Sequence, residues 1–122
     1  MLAIVDVGLG NVASVQNMLD RLGYPAELRT SPQGLTDTDR YILPGVGAYD
    51  EGARRLRHSG WFDHLRGLPE PTHVLGICLG MQLLGTSSEE GEAEGLCRVP
   101  AHFERLNVAP LRVPHMGWNH VQ

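Results

Sequence analysis

Hydrophobic and polar positions along the chain follow the pattern of strands joined by helices. Residues 2–7 are apolar except for Asp6, which is typical of a strand buried on both faces of a sheet. Residues 8–11 are rich in glycine and predict a turn. Apolar side chains then recur with helical period over residues 12–22, and Gly23 stands where a helix C-cap is expected. The chain therefore opens with a predicted strand, turn and helix.

The same alternation continues to about residue 84 and predicts an α/β fold. Strands are expected at 26–29, 41–43 and 72–77, the last of them buried on both faces like the first strand of the chain, and helices at 51–57, 61–68 and 79–84. This order is that of a doubly wound, mostly parallel sheet with flanking helices. A polar, acidic surface loop is predicted at 86–95. Two further segments, 97–106 and 111–121, alternate loosely and predict antiparallel extensions or edge strands.

Composition and charge indicate an ordinary globular protein, but they do not indicate its function. The 122 residues are 42% hydrophobic and 20% charged, which is ordinary for one globular domain. A net charge of -4 with interspersed signs indicates neither a nucleic-acid nor a membrane surface, and no apolar run approaches the roughly 20 residues that cross a bilayer. Two cysteines without a Cys-x-x-Cys pair, and six scattered histidines, predict no metal site and a reducing, cytoplasmic compartment.

One cysteine stands in a context that suggests chemistry. Residues 76–80 read Gly-Ile-Cys-Leu-Gly, after a predicted strand and before a predicted helix. Such an elbow exposes its central side chain, and small flanking residues avoid collisions. A helix N-terminus favours thiolate over thiol at Cys78, and the N–H of Leu79 points to where an oxyanion would form. The alternative for Cys78 is a small buried hydrophobe; Cys97, without this context, is predicted to be a core cysteine.

A second glycine-rich segment could complete an oxyanion hole. Residues 43–47 read Leu-Pro-Gly-Val-Gly at the end of a predicted strand. Gly45 and Gly47 permit an unusual backbone geometry that presents the N–H of Val46 to a ligand. The alternative is an ordinary Pro-Gly turn, since this pair marks turns in many proteins.

Together, residues 44–47 and 76–84 resemble the oxyanion strand and nucleophile elbow of class I glutamine amidotransferases. In that family, a cysteine attacks the side-chain amide of glutamine, forms a thioester and releases ammonia, without a cofactor. The resemblance implies Cys78 as the nucleophile, with the Val46 and Leu79 amides as oxyanion donors. It also implies a set of substrate-binding residues: Gly45, Gly47, Gln82 and Glu90. For Glu90, the alternative is simple surface charge in a solvated acidic loop.

Two further motifs indicate a subfamily. Residues 6–11 read Asp-Val-Gly-Leu-Gly-Asn, and residues 113–119 read Val-Pro-His-Met-Gly-Trp-Asn. Both are similar to the glutaminase subunits of imidazole glycerol phosphate synthase. This resemblance implies a heterodimer with a cyclase subunit, a (β/α)₈ barrel that uses the ammonia to make imidazole glycerol phosphate and AICAR in histidine biosynthesis. Asn11, Met116 and Trp118 would lie at that interface; the alternative is a small satellite core under the loop.

The chain departs from the family pattern at the catalytic base. In the family, a histidine with a glutamate two positions later follows a strand near the C-terminus. No histidine is assigned that role: His58 and His64 are predicted to be solvated on helix faces, His115 belongs to the subunit motif, and His102 has no recognised role. We therefore expect residues 1–122 to be the N-terminal part of a single glutamine amidotransferase domain, truncated before the catalytic His/Glu segment and inactive alone.

Two other readings stay open on the sequence. The chain could belong to a different class I amidotransferase, or to another α/β hydrolase with a cysteine elbow. It could also be a catalytically incomplete fragment that acts only as a binding module, a reading that the missing base favours.

Overall fold

Four parallel strands form the central sheet of the computed structural model, which describes residues 1–122. The strands are β1 (Leu2–Val5), β2 (Ala26–Arg29), β3 (Arg40–Gly45) and β4 (His73–Cys78), in the order β2-β1-β3-β4. The helices are α1 (Val12–Arg21), α2 (Tyr49–Ser59), α3 (Trp61–Arg66) and α4 (Leu79–Leu83). A second sheet contains only β5 (Ser87–Ser88) and β6 (His102–Phe103). The predicted doubly wound α/β architecture is confirmed.

Helix α1 begins and ends where its sequence signals place it. The side chain of Asn11 accepts a hydrogen bond from the Ser14 N–H at 3.1 Å and so caps the first turn. After the last turn, Gly23 has a φ of +77°, a conformation that glycine adopts without steric penalty. The helix contacts β1 and β2 on one face of the sheet.

The other face of the sheet carries the main hydrophobic core. Helices α2, α3 and α4 pack there, and the largest fully buried side chains are Trp61, Tyr49 and Phe62. From the strands, the core receives Ala3, Val5, Tyr41 and Leu43. Burial of large apolar side chains contributes on the order of 1.5–3 kcal/mol each. This packing fixes the positions of the loops that follow β1, β3 and β4.

Strand β4 lies at the edge of the sheet, which corrects the prediction of a strand buried on both faces. Leu75 and Ile77 point to the face that carries α1, and both are exposed. The reason is that α1 covers β1 and β2 but does not extend over β4. Ile42, Ile77 and α1 therefore enclose an apolar depression that is open to solvent.

The region after α4 contains less regular structure than the sequence predicts. Strands β5 and β6 pair in parallel, through Ser87 with His102 and Ser88 with Phe103. Residues 97–106 thus contain an edge strand, as predicted, but the alternative of an antiparallel extension is wrong. Residues 111–121 form no strand, because nothing pairs with their backbone. No helix of the chain is long and apolar enough to cross a membrane.

His64 is half-buried, which corrects its predicted place on a solvated helix face. Its ring makes edge contacts with Tyr41 and Trp61 at centroid distances of 5.6 and 5.5 Å. Its Nε2 lies 3.0 Å from the hydroxyl of Tyr41. Burial lowers the pKa of His64 below its ordinary value, because a charged imidazolium would lose hydration there.

This lowered pKa predicts a stability that depends on pH. The unfolded chain, with a histidine pKa of about 6.5, binds the proton more tightly than the folded chain does. The His64 contribution to the free energy of unfolding should therefore be full above about pH 7 and decline as the pH falls through 6.5. Denaturant unfolding of the wild type and His64→Gln from pH 8 to 5 measures this contribution. The exposed His58 offers a control, His58→Gln; identical pH dependence in all three proteins would contradict the prediction.

Candidate active site

Three loops meet at the carboxyl ends of the strands of the central sheet, because β1, β3 and β4 are parallel and adjacent. The loop of residues 8–10 follows β1, the segment Gly45 to Gly47 ends β3, and Cys78 ends β4. The chain leaves β1 toward β2 on one side, while β3 lies on the other. Ligands of open α/β sheets bind at such a switch point, beyond the carboxyl ends of the strands.

Cys78 occupies a sharp turn between β4 and α4. Its φ of 56° and ψ of -117° lie outside the regions that L-residues commonly adopt, and such conformations cost on the order of 1–3 kcal/mol. The thiol is free and exposed. By contrast, Leu79 is fully buried and anchors α4 in the core. A strained turn that presents a thiol to solvent is the elbow that the sequence predicts; the role of Cys78 as nucleophile stays a prediction.

The glycines around Cys78 are required by close backbone contacts. An added Cβ on Gly76 would lie 2.5 Å from the Cα of Met81, where α4 folds back on β4. An added Cβ on Gly80 would overlap the carbonyl oxygen of Leu43 in β3. The predicted reason for the two flanking glycines, the avoidance of collisions with neighbouring elements, is confirmed.

The glycine-rich end of β3 lies beside this turn. Gly45 is paired with Cys78 in the register of β3 and β4, and neighbouring strands are about 4.8 Å apart. Val46 follows with a side chain that is 65% exposed, and Gly47 has a φ of +128°. The N–H groups of Val46 and Gly47 donate to no acceptor within the protein. Two N–H groups without an acceptor therefore follow directly after Gly45, the residue paired with Cys78; the role of Val46 as an oxyanion donor stays a prediction.

The predicted substrate residues Gln82 and Glu90 share a cleft of about 560 Å³. Its walls also include Ser88, Arg105 and Pro114, but not Cys78, Val46 or Leu79. The structure thus brings together two groups, the thiol with the β3 glycines and Gln82 with Glu90. Sequence reasoning missed Arg105, since nothing in the sequence near it indicates that it lines the same cleft as Gln82.

The acidic loop is fastened to the start of α2. Glu90 Oε1 accepts a hydrogen bond from the N–H of Tyr49 at 3.1 Å. In return, Asp50 Oδ1 accepts from the N–H groups of Glu92 and Ala93 at 3.0 and 2.8 Å. Glu90 is therefore more than surface charge, because it satisfies a free amide in the first turn of a helix. Asp50 was missed, because its partners lie more than 40 positions away in the sequence and no local signal indicates such a contact.

The three predicted interface residues are all exposed. Met116 is 85% exposed and Trp118 is 103% exposed, so the alternative of a satellite core under this loop is wrong. The side chain of Asn11 is occupied as the cap of α1. Large exposed apolar side chains on a surface are candidates for a protein interface.

The histidines of the chain form their hydrogen bonds away from Cys78. One His-x-Glu spacing does occur, at His102-Phe103-Glu104, although the sequence interpretation left His102 without a role. The Nδ1 atom of His102 lies 2.7 Å from Ser87 Oγ, beyond the C-terminal end of α4, whereas Cys78 lies at the N-terminal end. The structure therefore does not place this pair as a base for the Cys78 thiol.

Cys97 is exposed and has a φ of 57°, so the prediction of a core cysteine is wrong. Its Sγ lies 3.6 Å from Glu94 Oε1 and 3.5 Å from the carbonyl oxygen of Gly95. Unlike that of Cys78, this thiol therefore has hydrogen-bond acceptors beside it.

Comparisons with known proteins agree with this geometry. Subunit HisH 2 of imidazole glycerol phosphate synthase from Methanococcus maripaludis is 42% identical over 125 residues, covering 100% of this chain and 62% of that protein. Subunit HisH from Moorella thermoacetica is 46% identical over 123 residues, covering 99% of this chain and 58% of that protein. The chain thus spans about three fifths of the length of these curated relatives.

A solved structure supports the fold. The crystal structure of a glutamine amidotransferase superposes with a TM-score of 0.70 at 23% identity, covering 85% of this chain and 56% of the other. The family model "Glutamine amidotransferase class-I" matches residues 3–122. The elbow, the glycine-rich end of β3 and this match over nearly every residue lead to one conclusion: the chain belongs to the class I glutamine amidotransferase family.

Proposed function

We propose that this chain provides the nucleophile and oxyanion hole for the hydrolysis of glutamine to glutamate and ammonia. The observation that carries the proposal is the register of β3 with β4, which pairs Cys78 with Gly45, the residue before the uncommitted N–H of Val46. The relatives that match nearly the whole chain are named as subunits of imidazole glycerol phosphate synthase, which supports the same function.

The proposed reaction follows from the groups at the elbow. The Cys78 thiolate attacks the side-chain amide carbon of glutamine, and the N–H groups of Val46 and Leu79 stabilise the resulting oxyanion. The C–N bond then breaks, the nitrogen takes the proton that the base removed from the Cys78 thiol, and ammonia leaves. Water attacks the thioester, the C–S bond breaks, and glutamate is released with the thiol restored.

Substrate binding is proposed to join the two groups of residues at this edge of the sheet. Gln82 and Glu90 would hold the polar groups of glutamine in their cleft. Gly45 and Gly47, which lack side chains, would let the substrate amide approach the backbone of β3. The Glu90 carboxylate supports this role, because only one of its oxygens, Oε1, accepts a hydrogen bond from Tyr49 and the other oxygen is left for the substrate.

The base is proposed to lie outside residues 1–122. An unactivated thiol is only a few per cent thiolate at neutral pH, so Cys78 requires a proton acceptor. Within the chain, His102 is hydrogen-bonded to Ser87. The relatives are longer than this chain, and their additional residues could supply a histidine and a glutamate. The competing reading is a binding module without activity, which the lack of a base beside Cys78 favours.

The ammonia is proposed to pass to a cyclase subunit, a (β/α)₈ barrel that makes imidazole glycerol phosphate and AICAR in histidine biosynthesis. The exposed side chains of Met116 and Trp118, with Asn11, would contribute to the contact in a cytoplasmic heterodimer. Met and Trp are enriched at the cores of interfaces, and nothing within the chain covers them here.

Selective alkylation tests the elbow. Cys78 should react with iodoacetamide faster than Cys97, because its exposed thiol lies at a turn without hydrogen-bond acceptors, whereas Glu94 and Gly95 engage the other thiol. Brief labelling of the native protein followed by peptide mass spectrometry measures both rates. Equal labelling, or faster labelling of Cys97, would count against a reactive elbow.

The location of the base can be tested by mutation. In the full-length protein, we expect His102→Ala to retain most glutaminase activity. Replacement of a histidine after residue 122 that precedes a glutamate by two positions should lower kcat by at least about 10²-fold, as loss of general base catalysis does. The measurement is steady-state glutamine hydrolysis in the presence of the partner. Loss of activity in His102→Ala would place the base within this chain, and a reading frame without such a downstream pair would refute the proposal.

Coupling to the partner can be measured as ammonia release. The full-length protein alone should release ammonia slowly, and addition of the partner with its nucleotide substrate should accelerate this release. Loss of one oxyanion donor changes turnover by roughly 10²- to 10³-fold, and the glycines at 45 and 47 give the backbone freedom to present or withdraw that donor.

The controls for this experiment are two matched cysteine variants. Cys78→Ala should abolish ammonia release under every condition, while synthesis by the partner from added ammonia survives. Cys97→Ala should behave as the wild type. Equal rates with and without the partner would exclude the coupling, and full activity of Cys78→Ala would exclude the proposed mechanism.

A further inference from the structure

Arg55, in α2, connects this helix to the loop that follows β1. Its Nη1 group donates hydrogen bonds to the carbonyl oxygens of Val7 and Gly8, both at 3.2 Å. Its Nε donates to Glu51 Oε1 at 2.8 Å, which fixes the guanidinium on the helix. A guanidinium has five N–H donors in one plane and can make these bonds together. The loop is packed closely here, since an added Cβ on Gly8 would lie 2.7 Å from Arg55 Nη1.

The tethered loop lies against the backbone of the proposed oxyanion segment. An added Cβ on Gly10 would be 3.6 Å from the N and Cα atoms of Gly45, an ordinary van der Waals distance. Leu9 Cδ2 would lie 3.9 Å from a Cβ on Gly47. The loop therefore supports β3 just where two glycines leave its backbone free to change conformation.

We propose that Arg55 is a positioning residue for glutamine hydrolysis: it holds the loop of residues 8–10 against Gly45 and thereby fixes the Val46 amide beside Cys78. The inference rests on the proposed function, and it assigns a role to a side chain that touches neither substrate nor thiol. Its physical basis is that a displacement of about 1 Å in a catalytic group can lower the rate by about 10²-fold.

The neighbouring Arg54 provides a matched control. It binds the same carboxylate of Glu51, through Nε at 2.8 Å and Nη2 at 2.7 Å, but makes no hydrogen bond to the loop. Hydrogen bonds from Arg54 and then Arg55 lower the pKa of Glu51 to about 2, so this carboxylate stays ionised at any assay pH. Each alanine substitution removes one charge and one partner of Glu51, and only Arg55→Ala also releases the loop.

The experiment compares Arg55→Ala, Arg55→Lys and Arg54→Ala in the full-length protein with its partner. Arg55→Ala should lower kcat for glutamine hydrolysis by about 10- to 100-fold with little change in KM, since the transition-state donor is misplaced. Arg55→Lys, which can still reach one carbonyl, should recover part of this loss. Arg54→Ala should match the wild type. In ¹H–¹⁵N spectra, the amide signals of Gly10, Gly45 and Gly47 should shift in Arg55→Ala but not in Arg54→Ala.

The outcomes separate this inference from the proposed function. If the wild type hydrolyses glutamine and Arg55→Ala retains its kcat, or Arg54→Ala loses as much, the positioning role is overturned. If the wild type hydrolyses no glutamine, the proposed function fails. The spectra then test the tether by themselves: unchanged amide signals of Gly10, Gly45 and Gly47 in Arg55→Ala would overturn it. If Arg55→Ala does not fold, Arg55→Met, which keeps an unbranched side chain but has no N–H donor, replaces it, and a kcat equal to that of the wild type refutes the inference.

Discussion

The site depends on the close approach of two pieces of backbone, the end of β3 and the turn from β4 into α4. Helix α4 passes so near to β3 that Gly80 has no room for a side chain beside the Leu43 carbonyl, and an added Cβ on Gly45 would lie 3.0 Å from the N atom of Gly80. This contact brings Gly45, the residue before Val46, beside Cys78. A larger residue at either glycine would push the end of β3 away from α4 and so change the spacing between Gly45 and Cys78.

Helix α2 organises the loops around that contact. Its first turn exchanges hydrogen bonds with the acidic loop, through Tyr49 and Glu90 and through Asp50 with Ala93. One turn later, Arg55 holds the loop that follows β1. Because α2 is itself anchored in the main core, the loops gain a rigid support without being buried. Functional groups on loops require such support if their positions are to be reproducible.

As far as the end of α4, sequence alone determined the elements and their order, because local signals specify them. Alternation of apolar runs with helical periodicity predicted all four parallel strands, with β2 at the bounds that the structure has. The residues at 76–80 predicted the elbow, since glycine spacing around a cysteine between strand and helix leaves few other geometries. The family followed from the same residues, and the match over 3–122 confirms it.

Only the tertiary structure decided which face of each element is buried against another element and which is exposed. The apolar sequence of β4 predicts burial on both faces, yet Leu75 and Ile77 are exposed, because burial depends on whether another element lies over a strand. For the same reason, Cys97 reads as a core residue and lies at the surface, while His64 reads as solvated and is half-buried. The bond from Arg55 to Val7 joins residues 48 positions apart, and no local pattern encodes such a contact, since it exists only once the sheet has brought β1 and α2 together.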